Sequence, residues 1–312
     1  MDWHKLEQWL SDGHVGKWQP MAPLSLYTSW RIGGPARVMA WPEDEARCAE
    51  LLRYSSREGY PVRFLGLGTN LLAAGRGVEA LVGHTGELKG MEWEQNTSLE
   101  NEDGEKHLLA GAGLPLSQIA AAAAREGLTG LEFAAGIPGS FGGALIMNAG
   151  AYGGQISDLA AYVCAMDRDG VTHRLDREEL AFSYRTSALR SSGLLIISGA
   201  LRFAYGDRDE IQALMEGYLK SRRENQPLDL PSGGSVFRNP AGGGAGRYID
   251  QAGLKGLRVG NAEISAKHAN FIVNLGGARA EDVKTLMDRA RDEVRKMYGI
   301  TLEDEIVTWD CY

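Results

Sequence analysis

Cysteine is nearly absent. Cys48, Cys164 and Cys311 are the only three in 312 residues, and they stand far apart. An odd number with no C-x-x-C pair argues against a disulfide framework and against a cysteine zinc site. The six histidines show no metal-ligand spacing either, so no metal is expected. Long apolar runs are also missing. The nearest, Ile119–Ala124 and Leu194–Ala200, fall well short of the ~20 residues that cross a bilayer. The N-terminal MDWHKLEQWLSDGH carries charges throughout and lacks the apolar stretch of a signal peptide. The expectation is a soluble, cytoplasmic chain without membrane insertion. Positive charge is in deficit: 33 Lys and Arg against 41 Asp and Glu give a net charge of −8, which argues against a nucleic-acid partner. Compositional bias is absent as well. With 44% hydrophobic and 24% charged residues, disorder, collagen and coiled coil are excluded as dominant features.

What the chain does have is glycine: 41 of 312 residues, about 13% against ~7% in average usage. Such an excess marks places where backbone turns tightly or approaches a ligand. The length suggests about two domains, with three small ones possible. Helical spacing predicts helices over Pro42–Glu58, Pro115–Glu126, Arg208–Glu224 and Ala280–Tyr298. In the first, the apolar face would be Ala46, Cys48, Leu51 and Leu52. In the last it would be Val283, Leu286, Met287, Ala290, Val294 and Met297. Strands are expected at Ala36–Ala40, Val62–Leu65, Ala80–Val82, Leu108–Ala110, Tyr162–Met166, Leu194–Phe203, Phe271–Val273 and Ile306–Thr308. This mixture points to an α+β fold rather than a regular βαβ repeat. The polar stretch Met91–Lys106 reads as a surface hairpin or excursion. Arg222–Gly234, with its Pro and Gly, reads as a boundary.

Five segments could carry chemistry. After a predicted strand, Gly66-Leu67-Gly68-Thr69-Asn70-Leu71 can aim consecutive N–H groups at one anion such as a phosphate. It lacks the third glycine of G-x-G-x-x-G and any Walker lysine, and an ordinary tight turn is the alternative. The stretch Gly127–Gly153 holds eight glycines in 27 residues yet keeps large apolar side chains, unlike a flexible linker. It suits a buried backbone lying against a flat ligand, with Ser140 and Asn148 as hydrogen-bond donors to phosphate or ring carbonyls. A glycine-rich helix packing surface is the alternative. In Phe182-Ser183-Tyr184-Arg185-Thr186-Ser187, Arg185 could grip a carboxylate in a bidentate way, or sit on an ordinary surface. In Pro231-Ser232-Gly233-Gly234-Ser235-Val236-Phe237-Arg238-Asn239-Pro240, the Ser235 hydroxyl follows a constrained turn that is not G-x-S-x-G. Among the histidines only His268 has a motif-like setting, Ser265-Ala266-Lys267-His268-Ala269-Asn270. Near the C-terminus, one acid of Glu303-Asp304-Glu305 could face a pocket as a proton relay, or all three could be solvated.

Taken together and in this order, the five segments resemble the UDP-N-acetylenolpyruvoylglucosamine reductase family. The likeness begins at Tyr27-Thr28-Ser29-Trp30-Arg31-Ile32-Gly33-Gly34-Pro35-Ala36 and ends at Glu303–Ile306, about nine-tenths of the chain. The stretch Met147-Asn148-Ala149-Gly150-Ala151-Tyr152-Gly153 and the Ser235 segment are its most specific parts. The resemblance implies an FAD-binding portion of the vanillyl-alcohol-oxidase type, built from two α+β subdomains, and a C-terminal α+β substrate domain. The implied boundaries are 1–84, 85–224 and 225–312, with the final strand a candidate to return to the first subdomain. FAD would be non-covalent, since no His lies in the segments assigned to flavin. Its implied contacts are Arg31, Gly66, Leu67, Gly68, Thr69, Asn70, Leu71, Ala135, Gly136, Ile137, Pro138, Gly139, Ser140, Gly143, Ala144 and Asn148.

The resemblance also implies an activity. NADPH would reduce FAD, and UDP-N-acetylglucosamine enolpyruvate would then accept hydride from flavin N5 at its vinyl carbon, giving UDP-N-acetylmuramate for peptidoglycan. By motif match, Arg185 and Glu305 would neutralise the charge that develops toward the carboxylate, and Ser235 would protonate the α-carbon. Implied substrate contacts are Tyr184, Asn239 and Arg223. The chain departs from the family pattern at Asn225, where Lys is frequent, with Arg222 and Arg223 upstream as replacement charges. Arg247 also stands where Lys is common, and Ile306-Val307 replaces Val-Arg. The continuation from Asn148 into Ala149–Gly153 resembles the compact subtype, which lacks an extra tyrosine-bearing lid. No obligate protein partner is evident. Two other readings share some of these features: a sugar or alcohol oxidase of the same flavin fold, and an inactive UDP-sugar or nucleotide-binding module.

Overall fold

The computed structural model describes residues 1–93 and 105–311. The chain divides into two compact units, each built from separated stretches. The first comprises Met1–Pro20, Val38–Leu67 and Ala80–Lys220; the second comprises Met21–Arg37, Gly68–Glu79 and Ser221–Tyr312.

In the first unit, the helix Glu45–Glu58 begins three residues later than its spacing suggests. Pro42 ends the preceding strand Pro35–Pro42, and the Asp44 carboxylate accepts from the Arg47 N–H at 2.8 Å to cap the helix. Gly59, at φ +78, closes the other end. Cys48, Ala49, Leu51, Leu52 and Tyr54 are buried; Ala46 is exposed. This helix accompanies a four-stranded sheet in the order Gly16–Pro23, Pro35–Pro42, Val78–His84, Val62–Leu65, the last pair parallel. A larger antiparallel sheet runs Thr172–Asp176, Ala160–Met166, Leu195–Tyr205, Lys106–Gly111, Met91–Trp93. Met91–Trp93 and Lys106–Gly111 pair antiparallel, as the flanks of a hairpin would. The rest of that expected excursion, residues 94–104, lies outside the described residues. Against the sheet pack the alanine-rich helix Leu116–Arg125 and the short helix Phe141–Ile146, contributing Ile119, Ala120, Phe141 and Leu145 to one core.

The second unit is centred on the antiparallel sheet Ser232–Ser235, Phe271–Asn274, Ala262–Ile264, Arg258–Val259. The helix Ala280–Tyr298 lays Val283, Leu286, Met287, Ala290 and Val294 into this core, as its periodicity predicts. Met297 continues the spacing but is exposed, two residues before the chain leaves the helix at Gly299. The final strand, Val307–Trp309, pairs in parallel with Leu71–Ala73.

One side chain organises this unit. The Trp30 indole is fully buried, and its Nε1–H donates to the Ile272 carbonyl at 2.8 Å. Its six-membered ring lies where a Cβ on Gly233 would fall, 2.5 Å from the nearest ring carbon. Only glycine lets the Ser232–Ser235 strand pass. Gly233→Ala should therefore destabilise the protein by about 1–3 kcal/mol, the usual cost of overpacking a filled core. A lowered urea midpoint, with tryptophan fluorescence as the probe, checks this.

Candidate active site

Each unit brings together part of the expected site. In the first unit, Gly66 and Ser140 come into contact: a Cβ on Gly66 would stand 2.1 Å from the Ser140 Oγ. The loop after strand Val62–Leu65 and the turn before helix Phe141–Ile146 are thus adjacent, though 74 residues separate them in the sequence. Ser140 is buried, and its Oγ accepts from the Gly143 N–H at 3.3 Å, capping the short helix. Its own O–H remains a donor. Gly143 is exposed, Ala144 is buried, and Ala135–Gly139 form the approach. Among the described residues, the N–H groups of Gly66, Leu67, Gly136 and Gly139 meet no acceptor. Backbone donors left unmatched on two adjoining glycine turns are what an anionic diphosphate requires. The donor set therefore fits the pyrophosphate of a dinucleotide.

The side chain of Asn148 has a different part from the one its sequence setting suggests. It is buried, with φ +42, and both amide hydrogens are taken: Nδ2 donates to Gln155 Oε1 at 3.1 Å and to the Ser183 carbonyl at 3.0 Å. Its Oδ1 accepts from the Ser157 N–H at 3.0 Å. Any contact from residue 148 to a flavin falls to its backbone. Tyr184 and Arg185 occupy the tip of a turn closed by reciprocal Ser183–Thr186 backbone bonds of 3.0 and 3.2 Å. Tyr184 is exposed. Arg185 is half-buried at φ +56, with Nη2 donating to the Gly150 carbonyl at 2.6 Å and the guanidinium 5.2 Å from the Tyr184 ring centroid.

In the second unit, Ser235 ends the strand Ser232–Ser235 opposite Phe271. The chain then runs beside Glu303–Glu305: the Glu305 N–H donates to the Val236 carbonyl at 2.8 Å, and the Arg238 N–H to the Glu303 carbonyl at 2.9 Å. Asn70 joins the same place, its Nδ2 donating to the Glu305 carbonyl at 3.1 Å while its own carbonyl accepts from the Val307 N–H. Gly68 takes φ +61 with its α-carbon pressed on the Tyr27 carbonyl, where a Cβ would stand 1.9 Å away. Thr69 is half-buried, Leu71 starts the strand Leu71–Ala73, and Arg31 is exposed at φ +55. Of the substrate candidates, Asn239 uses its Oδ1 to accept from Ala245 N–H at 3.0 Å, so its NH2 is the group left to meet a phosphate. Arg223 is exposed, and its carbonyl accepts from Lys267 Nζ.

Three residues without a sequence assignment hold this arrangement. The Ser29 hydroxyl donates to the Ser232 carbonyl at 2.6 Å, with the Thr69 carbonyl at 3.3 Å, joining the Ser235 strand to the Gly68–Asn70 loop. Trp30 fixes the strand from its other side, as described above. Asn270, buried, clasps the backbone of Phe237 through both ends of its amide, at 2.8 and 3.0 Å. Their partners lie far away in sequence, so nothing local marks Ser29 or Asn270. His268 accepts from the Asn270 N–H at 3.2 Å through Nδ1, and burial holds it below the usual imidazole range. It supports the backbone of this loop as a neutral ring.

Residues 36–176 match the model of an FAD binding domain. The chain is thus an α+β flavoprotein with the fold class its sequence implies, and FAD is its cofactor. Residues 226–309 match the C-terminal domain of UDP-N-acetylenolpyruvoylglucosamine reductase. A reductase of that name from Heliobacterium modesticaldum is 42% identical over 292 residues, covering 93% of this chain and 90% of the relative. One from Moorella thermoacetica is 44% identical, covering 92% and 91%. The crystal structure of UDP-N-acetylenolpyruvylglucosamine reductase from Thermus caldophilus superposes with a TM-score of 0.77 at 38% identity, covering 94% of this chain and 98% of that one. The chain belongs to the UDP-N-acetylenolpyruvoylglucosamine reductase family and is an oxidoreductase. Among the described residues, no helix is long and apolar enough to cross a membrane.

The contact between Gly66 and Ser140 makes a direct prediction. Gly66→Ala should drive the Ser140 hydroxyl from its place and weaken FAD binding at least about tenfold, equivalent to ~1.4 kcal/mol. Titration of the apoprotein with FAD, followed by flavin fluorescence, measures it against an unchanged far-ultraviolet spectrum.

Proposed function

We propose that this chain catalyses the NADPH-driven reduction of UDP-N-acetylglucosamine enolpyruvate to UDP-N-acetylmuramate, a step in peptidoglycan precursor synthesis. The observation that carries this reading is the packing of the Ser235 segment beside Glu303–Glu305, with Asn70 of the glycine loop bound to the Glu305 carbonyl. Family membership supports the substrate class. We take residues 1–84 and 85–224 as the two flavin-binding subdomains and 225–312 as the substrate domain. A cytoplasmic place of action goes with the reading, because nucleotide sugars and reduced nicotinamide are cytoplasmic pools.

When bound, FAD supplies the redox chemistry, carrying hydride from NADPH to the terminal carbon of the enolpyruvyl ether. Its diphosphate would be held at Gly66–Asn70 and Gly136–Ser140, with the Gly66, Leu67, Gly136 and Gly139 N–H groups and the Ser140 hydroxyl as donors, and Arg31, Leu71, Ala135, Gly143 and Ala144 would complete its walls. As hydride arrives at the vinyl carbon, negative charge spreads from the neighbouring carbon into the substrate carboxylate. Arg185 meets that carboxylate with fixed positive charge. Glu305 assists from the carboxylate side by sharing a proton. Ser235 then delivers its hydroxyl proton to the α-carbon, completing addition across the double bond. Tyr184, Asn239 and Arg223 contact the UDP-sugar.

Two experiments test this. The yellow protein should bleach with NADPH without oxygen and recover its colour on addition of the enolpyruvyl sugar. Bleaching without recovery would assign another electron acceptor, as in an oxidase of the same fold. Ser235→Ala should bleach at an almost normal rate and recover ~10²–10⁴ times more slowly, the usual loss for an absent proton donor. Equal slowing of both half-reactions would remove Ser235 from that role.

A further inference from the structure

Two stretches of the first unit, Ile146–Gly150 and Ser183–Ser187, are laced together by three side chains. Asn148 Nδ2 donates to the Ser183 carbonyl at 3.0 Å. The Ser187 hydroxyl donates to the Ile146 carbonyl at 2.9 Å. Arg185 returns the connection, its Nη2 donating to the Gly150 carbonyl at 2.6 Å. Asn148 and Ser187 are both buried. Gly150 must stay small for this to close, because a Cβ there would lie 2.6 Å from the Gly154 carbonyl oxygen and 3.2 Å from Arg185 Nη1.

Asn148 is the centre of this lacing. Its Nδ2 carries two hydrogens, one for Ser183 and one for Gln155, and its Oδ1 holds the Ser157 N–H. Gln155 is itself fixed, with its N–H and Nε2 both bonded to Asp158. The Ser183 carbonyl receives the Thr186 N–H that closes the turn as well as the Asn148 amide, so both of its lone pairs are engaged. Backbone conformation points to the same place. Asn148 at φ +42, Tyr152 at φ +53 and Arg185 at φ +56 are three of the non-glycine residues with positive φ. Such conformations cost energy and persist where surrounding bonds over-determine them.

We infer that Asn148 is a positioning residue for Arg185. By holding the Ser183 carbonyl, its amide fixes the two-residue tip from which the guanidinium projects, and so sets where the substrate carboxylate is met. This rests on the proposed role of Arg185, and it gives residue 148 work in the second half-reaction rather than at the flavin. A long, flexible side chain on a free loop would sample many positions. One displaced by about 1 Å loses much of its effect on a developing charge.

The test uses the full-length flavoprotein and follows its two half-reactions separately. Asn148→Gly removes the amide at a φ that glycine adopts without strain. Asn148→Asp keeps the shape and the Ser157 bond but loses both donors. Each variant should keep its flavin content and visible spectrum, and bleach with NADPH within about twofold of the parent. Recolouring by UDP-N-acetylglucosamine enolpyruvate should slow at least tenfold. Asn148→Gly combined with Arg185→Ala should recolour no more slowly than Arg185→Ala alone, because the two residues act as one unit. Loss of flavin, or equal slowing of both half-reactions, would overturn the inference in favour of a cofactor or folding role. Multiplying losses in the double variant, or an unchanged rate in the single ones, would also overturn it, as would failure of both single variants to fold. If Arg185→Ala itself recolours normally, the proposed role of Arg185 fails, and that result is distinct from the others.

Discussion

A buried indole needs a partner for its N–H, and in this protein that requirement orders half the site. Trp30 gives its N–H to the Ile272 carbonyl and takes the Asn274 amide on its own carbonyl at 2.9 Å. Its ring lies on Gly233, and its neighbour Ser29 holds the Ser232 carbonyl. A short stretch of chain thereby fixes both strands around Ser235. The same stretch sets the glycine loop, since Gly68 presses on Tyr27 and its carbonyl accepts from the Ser29 N–H. Replacing a satisfied buried donor of this kind leaves a partner stranded as well as a space, which costs more than either alone. Ser235 and Glu305 therefore sit on paired backbone and not on free loops.

The first unit reaches a comparable result by different means. Glycine lets the backbone meet the Ser140 side chain at Gly66 and the Gly154 carbonyl at Gly150, and small polar side chains tie the approaching segments. In both units, buried or half-buried polar side chains hold the backbone that carries the half-buried Ser235, Glu305 and Arg185. Ser29, Asn148 and Asn270 each donate to a distant main-chain carbonyl. That use makes them intolerant of conservative exchange, because an isosteric group with a different donor count cannot satisfy the same carbonyls.

Much of this was legible beforehand, for reasons that particular residues make plain. The strand Val62–Leu65 and the helix Ala280–Tyr298 have the bounds their patterns predict, because each carries a strong apolar rhythm and ends in turn-forming residues. The density of glycine in Gly127–Gly153 marked it as backbone that comes close to something. A glycine-rich helix was only the alternative there, and the helix Phe141–Ile146 does lie inside it, its poor helix formers Gly142 and Gly143 held by packing and by the Ser140 cap. The helix Ala245–Gln251 was hidden behind the Gly242–Gly244 cluster. Trp3, Leu6 and Leu10, with Asp2 as cap, are a readable amphipathic helix that attention to charge alone passes over. The part played by the Asn148 side chain was out of reach altogether, because its identity as ligand contact or internal brace depends on Ser183, thirty-five residues away.

The second unit is threaded from three separate stretches, and this has a consequence for its birth. Asn70 finds its Glu305 carbonyl 235 residues further along, and Leu71–Ala73 gain their parallel neighbour only from Val307–Trp309. At ribosomal speeds of ~5–20 residues per second, that edge waits roughly ten to fifty seconds for its strand. Throughout that interval the nascent chain carries Leu71 and Leu72, both buried in the finished protein, beside backbone that has nothing to pair with. The first unit can gather around its large antiparallel sheet while translation continues. The unit that holds Ser235 and Glu305 gains this strand pair only once Val307–Trp309 has been made.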